Sequence, residues 1–329
     1  MNLIYFLSTI LFLFFTCNFN VIIDAQNAVN DKVAKIQQKT YAEISIKEGG
    51  VWKDRVYEGG KFKNVQKLKL PPQHTDHSTY LRYEGPGWES GKIGYRLYLD
   101  WRNATDLFGK LTDSMVLSQV GQEGLESYHD MCPWGTDILK VGEGLGIGSI
   151  GRWIDKAVLH FNEVDSTFVS VENKKKYSAV HIRYYGWKTV NDKIDLKSDF
   201  TIAPDQRYTK HTIHPFKAME GICTGIVNHG LKPVKKESEN KKWAYLATYG
   251  EQTLVPDKLG MAILYKVGDV EKVFDWQFDH LLVFKPSAKK ITFYFLGAWE
   301  QEKGGIKNEK EFVSYLDKLL ELLNKNGKI

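Results

Sequence analysis

Cysteine is scarce in this chain, and no arrangement of it carries recognisable chemistry. The 329 residues contain three cysteines, Cys17, Cys132 and Cys223, and none forms a Cys-x-x-Cys pair. A zinc site of that type is therefore excluded. One disulfide between Cys132 and Cys223 is permitted by their number but is not required by it.

A strong charge of one sign is also missing. The 45 basic and 40 acidic residues leave a formal net charge of +5, and the lysines are spread along the chain without a basic stripe. This distribution disfavours nucleic acid as a partner but remains compatible with an anionic substrate. The glycine-rich run 142–151 lacks a following helix, so it predicts tight turns between strands and not a dinucleotide-binding loop.

Apolar runs long enough to span a bilayer are absent too. The apolar stretch from Met1 to Phe15 has about a dozen apolar residues, fewer than a membrane span needs, and indicates a secretory signal. We expect cleavage after Ala25 and export to the periplasm, with a lipid anchor at Cys17 as the alternative. The prediction is a signal peptide over residues 1–25, a single domain over 26–329 and no membrane span.

Strand-like segments fill most of the remaining chain. Between Ala42 and Ala298 they follow one another with Gly, Asn, Asp or Lys in between, which predicts a large antiparallel all-β assembly. One clear helix is predicted at the end, where Asn308 can cap it together with Glu311 and Gly327 can close it. Its apolar stripe is expected to pack against the sheet.

Residues 74–103 have an unusual density of charge. They hold two histidines, three arginines, two glutamates, two aspartates and two tryptophans around a Gly-Pro-Gly turn. The alternation from Ile93 to Trp101 predicts a strand with one apolar face and one charged face that includes Arg96. We interpret the charged face as a candidate site, and a solvated row of ion pairs is the alternative.

A second polar cluster covers residues 127–140. The Pro133-Trp134-Gly135 turn within it indicates a loop, where polar side chains can face a ligand. His129 is the first candidate for proton transfer, because an imidazole works near neutral pH and because Tyr128 adjoins it.

Further histidines extend the candidate site. His74 and His77 lie in a proline-containing loop, and a metal site there would need a third ligand from elsewhere, so we expect hydrogen bonding to substrate and no metal. His181, Arg183 and Tyr185 share one face of a predicted strand and could line the same cleft. An outward-facing polar row is the alternative interpretation.

Aromatic residues make up 13% of the chain, with nine tryptophans. In an exported protein this content favours surfaces that stack on sugar rings, although the same residues also build β-sheet cores. Carbohydrate is therefore the preferred class of ligand.

Five longer motifs carry a resemblance to a known family: residues 84–90, 95–103, 128–129, 134–142 and 297–300. They resemble exported proteins from polysaccharide-utilisation systems of Bacteroidetes, long labelled only as a domain of unknown function. Members typically occur beside uronic-acid lyases and unsaturated-uronyl hydrolases, and one branch is similar to ulvan-oligosaccharide dehydratases. The resemblance covers nearly all of the mature chain and implies a galactose-mutarotase-like β-supersandwich.

The activity so implied is removal of water from the non-reducing-end uronic acid of ulvan-type oligosaccharides, which leaves a 4,5-unsaturated uronyl residue and needs no cofactor. A base must take the C5 proton, an acid must protonate the departing hydroxyl, and the substrate carboxylate must be neutralised. We predict His129 as base and Tyr128 or Tyr185 as acid, with His74 and His181 as alternates. The expected substrate-binding residues are Arg82, Arg96, Arg183, Lys140, Trp88 and Trp134.

Two other functions remain open at this point. A glycoside hydrolase or chain-cleaving lyase acting on the same polymer would use paired carboxylates such as Glu84 and Glu89. A non-catalytic carbohydrate-binding protein would need only exposed tryptophans. In the dehydratase interpretation the partners are an anionic oligosaccharide, an upstream lyase and a downstream unsaturated-uronyl hydrolase.

Overall fold

Antiparallel β-sheets account for most of the chain. The computed structural model describes residues 38–190 and 192–329, so the predicted signal peptide and Cys17 lie outside the described residues. Residues 39–329 form one compact unit. The strands of this part of the chain form three antiparallel sheets, and one helix follows them, which confirms the predicted all-β class with a C-terminal helix.

The first sheet has six strands and carries the candidate site. Its strands are β1 (Thr40–Lys53), β2 (Val56–Val65), β4 (Gly87–Ser90), β5 (Ile93–Leu97), β6 (Thr105–Lys110) and β7 (Gly135–Asp137). Their order across the sheet is β2-β1-β4-β5-β6-β7.

The second sheet has nine strands. They are β3 (Lys67–Lys69), β10 (Ser166–Lys174), β11 (Tyr177–Thr189), β12 (Asp192–Ile202), β13 (Tyr208–Pro215), β15 (Val234–Glu237), β16 (Trp243–Glu251), β17 (Lys258–Lys266) and β20 (Ile291–Trp299). Their order is β15-β16-β17-β20-β13-β12-β11-β10-β3.

The third sheet has five strands. They are β8 (Ile147–Ile154), β9 (Ala157–Leu159), β14 (Ile222–Val227), β18 (Val270–Asp275) and β19 (Asp279–Phe284), in the order β18-β19-β14-β8-β9. The glycine-rich run leads into β8 through Gly146 and Gly148, both with positive φ, so it forms the predicted turns.

The main core lies where alternate side chains of the three sheets meet. Ile44 of the first sheet, Phe295 of the second and Ile226 of the third belong to one buried apolar cluster. Because successive side chains of a strand point to opposite faces, the neighbours of these residues form other layers. On the second sheet Tyr294 faces a separate cluster with the helix.

The C-terminal helix, α1 (Glu309–Asn326), follows its predicted boundaries. The Asn308 side chain accepts a hydrogen bond from the Glu311 amide at 2.9 Å, and Gly327 ends the helix in a left-handed conformation. Buried Phe312 and Leu316 pack on the outer face of the nine-stranded sheet. The stripe is therefore core, as predicted.

The predicted strand from Ile93 to Trp101 is shorter than expected. β5 ends at Leu97, and Asp100 then accepts a hydrogen bond from the Arg102 amide at 2.9 Å, which turns the chain and leaves Trp101 40% exposed. The charged face is buried, not solvated, because the segment 111–134 covers this side of the sheet. Arg96 is 2% exposed.

Cys132 and Cys223 are both free, so the permitted disulfide is not formed between them. In the part of the chain that the structure describes, no helix has the length and apolarity needed to cross a bilayer.

Asp279 begins β19 as a fully buried carboxyl group, and no basic side chain of the described residues forms an ion pair with it. Its Oδ1 accepts a hydrogen bond from the Leu145 amide at 2.9 Å, Oδ2 has no hydrogen-bond partner in that part of the chain, and burial raises the pKa of this carboxyl well above its usual range. Burial therefore favours the protonated form of Asp279 in the folded protein, compared with the unfolded chain, where the ordinary pKa is about 4.

We expect Asp279→Asn to raise the free energy of unfolding at pH 8 by on the order of 1 kcal/mol or more. A folded pKa above the unfolded one means that wild type loses stability as pH rises, so the gain should shrink as pH falls towards 4. Urea unfolding at several pH values measures it. Asp155→Asn at an exposed site is the control. A gain that does not change with pH would contradict the assignment.

Candidate active site

A buried guanidinium organises the covered face of the six-stranded sheet. Nη2 of Arg96 lies 2.7 Å from Oδ2 of Asp106 and 2.7 Å from Oδ2 of Asp137, and Nη1 donates to Tyr128 Oη at 2.6 Å. Arg96 and Asp106 are paired directly across β5 and β6, which explains their contact. The Tyr98 hydroxyl also donates to Asp106. A buried charge is stable only with such partners.

A second guanidinium extends this network towards solvent. Glu84 Oε2 lies 3.8 Å from Arg96 Nη1, and Glu84 Oε1 lies 2.7 Å from Arg102 Nη2. The same Arg102 nitrogen lies 2.5 Å from Asp100 and 2.8 Å from Asp76. The Arg102 side chain is 14% exposed, so this end of the network approaches the surface.

Two imidazoles stand at the exposed edges of this network. His129 Nδ1 lies 3.1 Å from Oδ2 of buried Asp137, and the His129 side chain is 42% exposed. His77 Nδ1 lies 2.5 Å from Asp76 Oδ1, with its side chain 71% exposed. A carboxylate behind an imidazole orients the ring and selects the tautomer with its other nitrogen outward. Such a pair is suited to proton transfer.

The charges of the network shift the pKa values of its members. Burial, and then the charge of Asp137, raise the pKa of Asp106 to about 7 against the opposing effect of Arg96. Burial raises the pKa of Tyr128 to about 12, so its phenol stays protonated at neutral pH. Burial alone would raise the pKa of Glu84, but the two guanidinium groups outweigh it and lower that pKa to about 2.

The backbone beneath the network is strained. Positive φ angles occur at His77 (55°), Thr79 (57°), Tyr83 (41°), Glu84 (69°) and Asn103 (44°), in a conformation that side chains other than glycine rarely adopt. Each such residue costs about 1–3 kcal/mol and persists only where the surroundings enforce it. This clustering beside the two imidazoles is typical of a functional site.

Three groups at the exposed end have the chemistry of metal ligands. Asp76, His77 and Glu84 each offer one ligand atom, and these atoms lie within 4.8 Å of one another. Arg102 already places its guanidinium 2.8 Å from Asp76 and 2.7 Å from Glu84. The cation that these carboxylates hold is therefore Arg102, and we assign no metal to them.

The structure brings four of the predicted site residues together. Tyr128, His129 and Arg96 meet directly, with the Tyr128 and His129 ring centroids 4.6 Å apart. His74 is buried nearby, where its imidazole interacts with the charges of Asp100 and Glu84. Burial lowers the pKa of His74 to about 4, so this ring is neutral and is unsuited to donating a proton from its cationic form.

His181, Arg183 and Tyr185 do not join this network. Along β11 they alternate with buried Ile182 and Tyr184, so they face the outer side of the nine-stranded sheet. The Tyr184 hydroxyl donates to Asn103 Oδ1 at 2.5 Å on the inner side, next to Arg102. The expectation that all three line the cleft of His129 is thus wrong, because β11 turns them to the opposite face. His181 pairs instead with Asp199 at 2.6 Å.

Two of the arginines predicted to bind the substrate form ion pairs with carboxylates of the protein instead. Arg82 is 2% exposed and forms a close ion pair with Glu43, which also accepts a hydrogen bond from Tyr83 at 2.6 Å. Arg96 is saturated by Asp106 and Asp137. Neither guanidinium can bind a substrate carboxylate through two hydrogen bonds, which corrects the substrate-binding role predicted for both.

Three other predicted binding residues lie outside the network. Trp88 is fully buried and stacks on Tyr95 and Phe200, so it offers no face to a sugar. Trp134 is 9% exposed and packs edge-on against Phe108 at 5.9 Å. Lys140 is exposed, and its surroundings include His229 instead of the network.

The two carboxylates considered for hydrolysis, Glu84 and Glu89, belong to different groups of interacting residues. Glu89 is fully buried, where Lys110 Nζ lies 2.6 Å from Oε2 and the Leu117 amide donates to Oε1 at 2.9 Å. It cannot reach a substrate alongside Glu84, which belongs to the Arg96 and Arg102 network. The pairing of Glu84 with Glu89 as acid and nucleophile is therefore not supported by this arrangement.

Sequence reasoning missed the carboxylates that orient the imidazoles, Asp76 and Asp137, and the surface guanidinium of Arg102. Asp137 follows the Trp134-Gly135 turn only eight residues after His129, so a short hairpin joining the two was a usable signal. For Asp106 the signal was weaker, since its pairing with Arg96 depends on the register of β5 and β6.

The comparison with known families covers almost the whole chain. The model of a family described as "Domain of unknown function (DUF4861)" matches residues 13–329. No curated protein matches this sequence.

Proposed function

The chain belongs to the DUF4861 family, whose description leaves the function open, and from the motif resemblance together with the site above we propose that it is a carbon–oxygen lyase: a dehydratase acting on ulvan-type oligosaccharides. It removes water from the non-reducing-end uronic acid. The observation that carries the proposal is the pairing of half-exposed His129 with buried Asp137 next to Arg96 and Tyr128.

His129 is the base of the proposed reaction. With Nδ1–H directed to Asp137, its Nε2 takes the C5 proton of the uronic acid. The electron pair of the C5–H bond forms the C4=C5 double bond as the C4–O bond breaks. The departing hydroxyl takes up a proton and leaves as water, so no oxidant or reductant is consumed.

His77 is the better placed acid. Tyr128 is 1% exposed and its Oη accepts a hydrogen bond from Arg96, so we assign it to holding the His129 ring. Tyr185 lies on the outer face of the other sheet. His77 is 71% exposed and has Asp76 behind its Nδ1, which orients the ring with its other nitrogen towards an approaching substrate.

We expect His77→Gln to lower turnover by about 10- to 100-fold, somewhat less than a typical general acid contributes, because solvent can also protonate a departing hydroxyl. Steady-state kinetics at neutral pH measures this loss. Unchanged turnover would remove His77 from the mechanism, and Asp54→Asn, on the neighbouring exposed turn, is the control.

The wider context follows from the proposed chemistry. A lyase that cuts the polymer supplies the oligosaccharide, and an unsaturated-uronyl hydrolase consumes the product. We propose that the protein works in the periplasm after export and that the elimination requires no cofactor.

The decisive experiment is mass spectrometry of uronic-acid oligosaccharides incubated with purified protein, with and without a chelator. Loss of one water from an intact chain, with the absorbance of a conjugated enol-ether acid, supports the dehydratase. Two shorter saccharides would indicate a hydrolase or chain-cleaving lyase instead. Binding without any new product would identify a carbohydrate-binding protein. Activity lost with chelator and restored by a divalent ion would contradict the absence of a metal.

A further inference from the structure

A cleft of about 370 Å³ lies beside the Arg96 and Arg102 network, and the proposed reaction does not use it. Its volume is in the range of small-molecule sites, about 300–1,000 Å³. The lining comes from the loop before residue 76, the turn after β5, the edge strand β3 and its neighbour β10. The residues that concern its chemistry are Arg55, His74, Asp100, Trp101 and Asp165.

Two features connect the cleft to the candidate active site. Asp100 lines the cleft and also holds Arg102, with 2.5 Å between Oδ2 and Nη2. Thr75 lines the cleft, and the next two residues are Asp76 and His77 of the network. The cleft therefore adjoins the end of the network that contains Asp76 and His77.

The charge that remains in the cleft after ion pairing is positive. Both of its carboxylates are already neutralised by cations: Asp100 by Arg102, and Asp165 by Lys193 at 2.5 Å. Arg55 is exposed, and among the described residues it forms no ion pair. It donates to the His74 carbonyl at 3.3 Å, so its charge remains available to an anion in the cleft. The Lys69 ammonium lies 5.6 Å from the Phe168 ring centroid, on the outer face of the sheet with Tyr185, and points away from the cleft.

An aromatic ring and an unsatisfied imidazole complete the cleft. Trp101 is 40% exposed, because the chain leaves the sheet after Leu97, and it offers a surface on which a sugar ring can stack. His74 is 7% exposed, with Nδ1 2.7 Å from Ser78 Oγ. Its Nε2 is buried and has no hydrogen-bond partner among the described residues, and such a group costs free energy unless a ligand or a water molecule binds it.

We propose that this cleft is a subsite for a second, anionic sugar residue, with Trp101 stacking on the ring and Arg55 binding a carboxylate or sulfate group. The inference rests on the proposed function for the identity of the ligand as an acidic oligosaccharide. It assigns recognition of substrate charge to the cleft, since Arg82 and Arg96 are occupied by protein carboxylates.

Calorimetric titration tests the subsite without relying on turnover. The protein is His129→Ala, which binds but does not react, and the probe is a sulfated uronic-acid tetrasaccharide. Arg55→Gln should weaken binding by about 10-fold, the value of a charge-assisted hydrogen bond at a partly exposed site. Trp101→Ala should weaken it comparably. Lys67→Ala, on strand β3 but outside the cleft, should leave the affinity unchanged.

Two modified probes identify the anion. If the effect of Arg55→Gln disappears with a desulfated tetrasaccharide, Arg55 binds the sulfate; if it disappears with a carboxyl-reduced one, Arg55 binds the carboxylate. Equal affinity of the His129→Ala protein with and without Arg55→Gln for every probe would overturn the subsite. If binding depends on the cleft residues but the unmodified protein does not dehydrate the substrate, the subsite is supported and only the proposed reaction is refuted.

Discussion

His129→Ala should lower turnover on a uronic-acid oligosaccharide by about 100- to 10,000-fold, the usual contribution of a positioned general base. The imidazole is half-exposed, contacts buried Asp137 and lies next to Tyr128 and Arg96. Because the side chain is 42% exposed, its removal leaves no large buried cavity. The free energy of unfolding should therefore change by less than about 1 kcal/mol.

His181→Ala is the matched control for this variant. His181 is also a partly exposed histidine whose Nδ1 contacts a carboxylate, Asp199, at 2.6 Å, but it lies on the outer face of the nine-stranded sheet. Its removal should leave turnover unchanged. Initial rates of the formation of unsaturated product, measured at saturating substrate for both variants, distinguish the two imidazoles. Normal turnover in His129→Ala, or equal losses in both, would refute the assignment.

Much of the fold could be predicted from local patterns. The cap at Asn308 and the stop at Gly327 bound a helix whose apolar stripe could only be buried. Alternation around Tyr95 and Leu97 placed these residues in the core, where they are found. The end of β5 could not be predicted, because it depends on the turn that Asp100 makes with the Arg102 amide and not on hydrophobic period.

The site was predictable only in part, for a related reason. His129 and Tyr128 adjoin in sequence, so their proximity was available from the start. The role of Arg96 depends on which strand lies opposite it: register places Asp106 directly across, and β7 brings Asp137 alongside. The sequence of a charged strand face does not show whether a loop or solvent covers that face. Here the segment 111–134 covers it.

Because the segment 111–134 buries Arg96, substitution of this residue is expected to have the largest effect on the free energy of unfolding. We expect Arg96→Met to lower the free energy of unfolding by about 3–5 kcal/mol, because removing one partner of a buried ion pair leaves the others uncompensated. Asp106 and Asp137 are each 1% exposed and would share the space with no cation between them. Urea unfolding at pH 7 followed by tryptophan fluorescence measures the loss.

The pH dependence separates lost charge compensation from lost packing. Arg96 lowers the pKa of Asp106, which burial and Asp137 together raise to about 7, so without the guanidinium the folded pKa rises further. A folded pKa above the unfolded value removes stability as pH rises, and the deficit of Arg96→Met should therefore grow from pH 5 to pH 8. Adding Asp106→Asn to Arg96→Met removes one of the two carboxylates, and it should recover part of the loss and flatten this slope. A deficit that is constant with pH would mean that Arg96 acts through packing alone, and the account of the network as an electrostatic unit would fail.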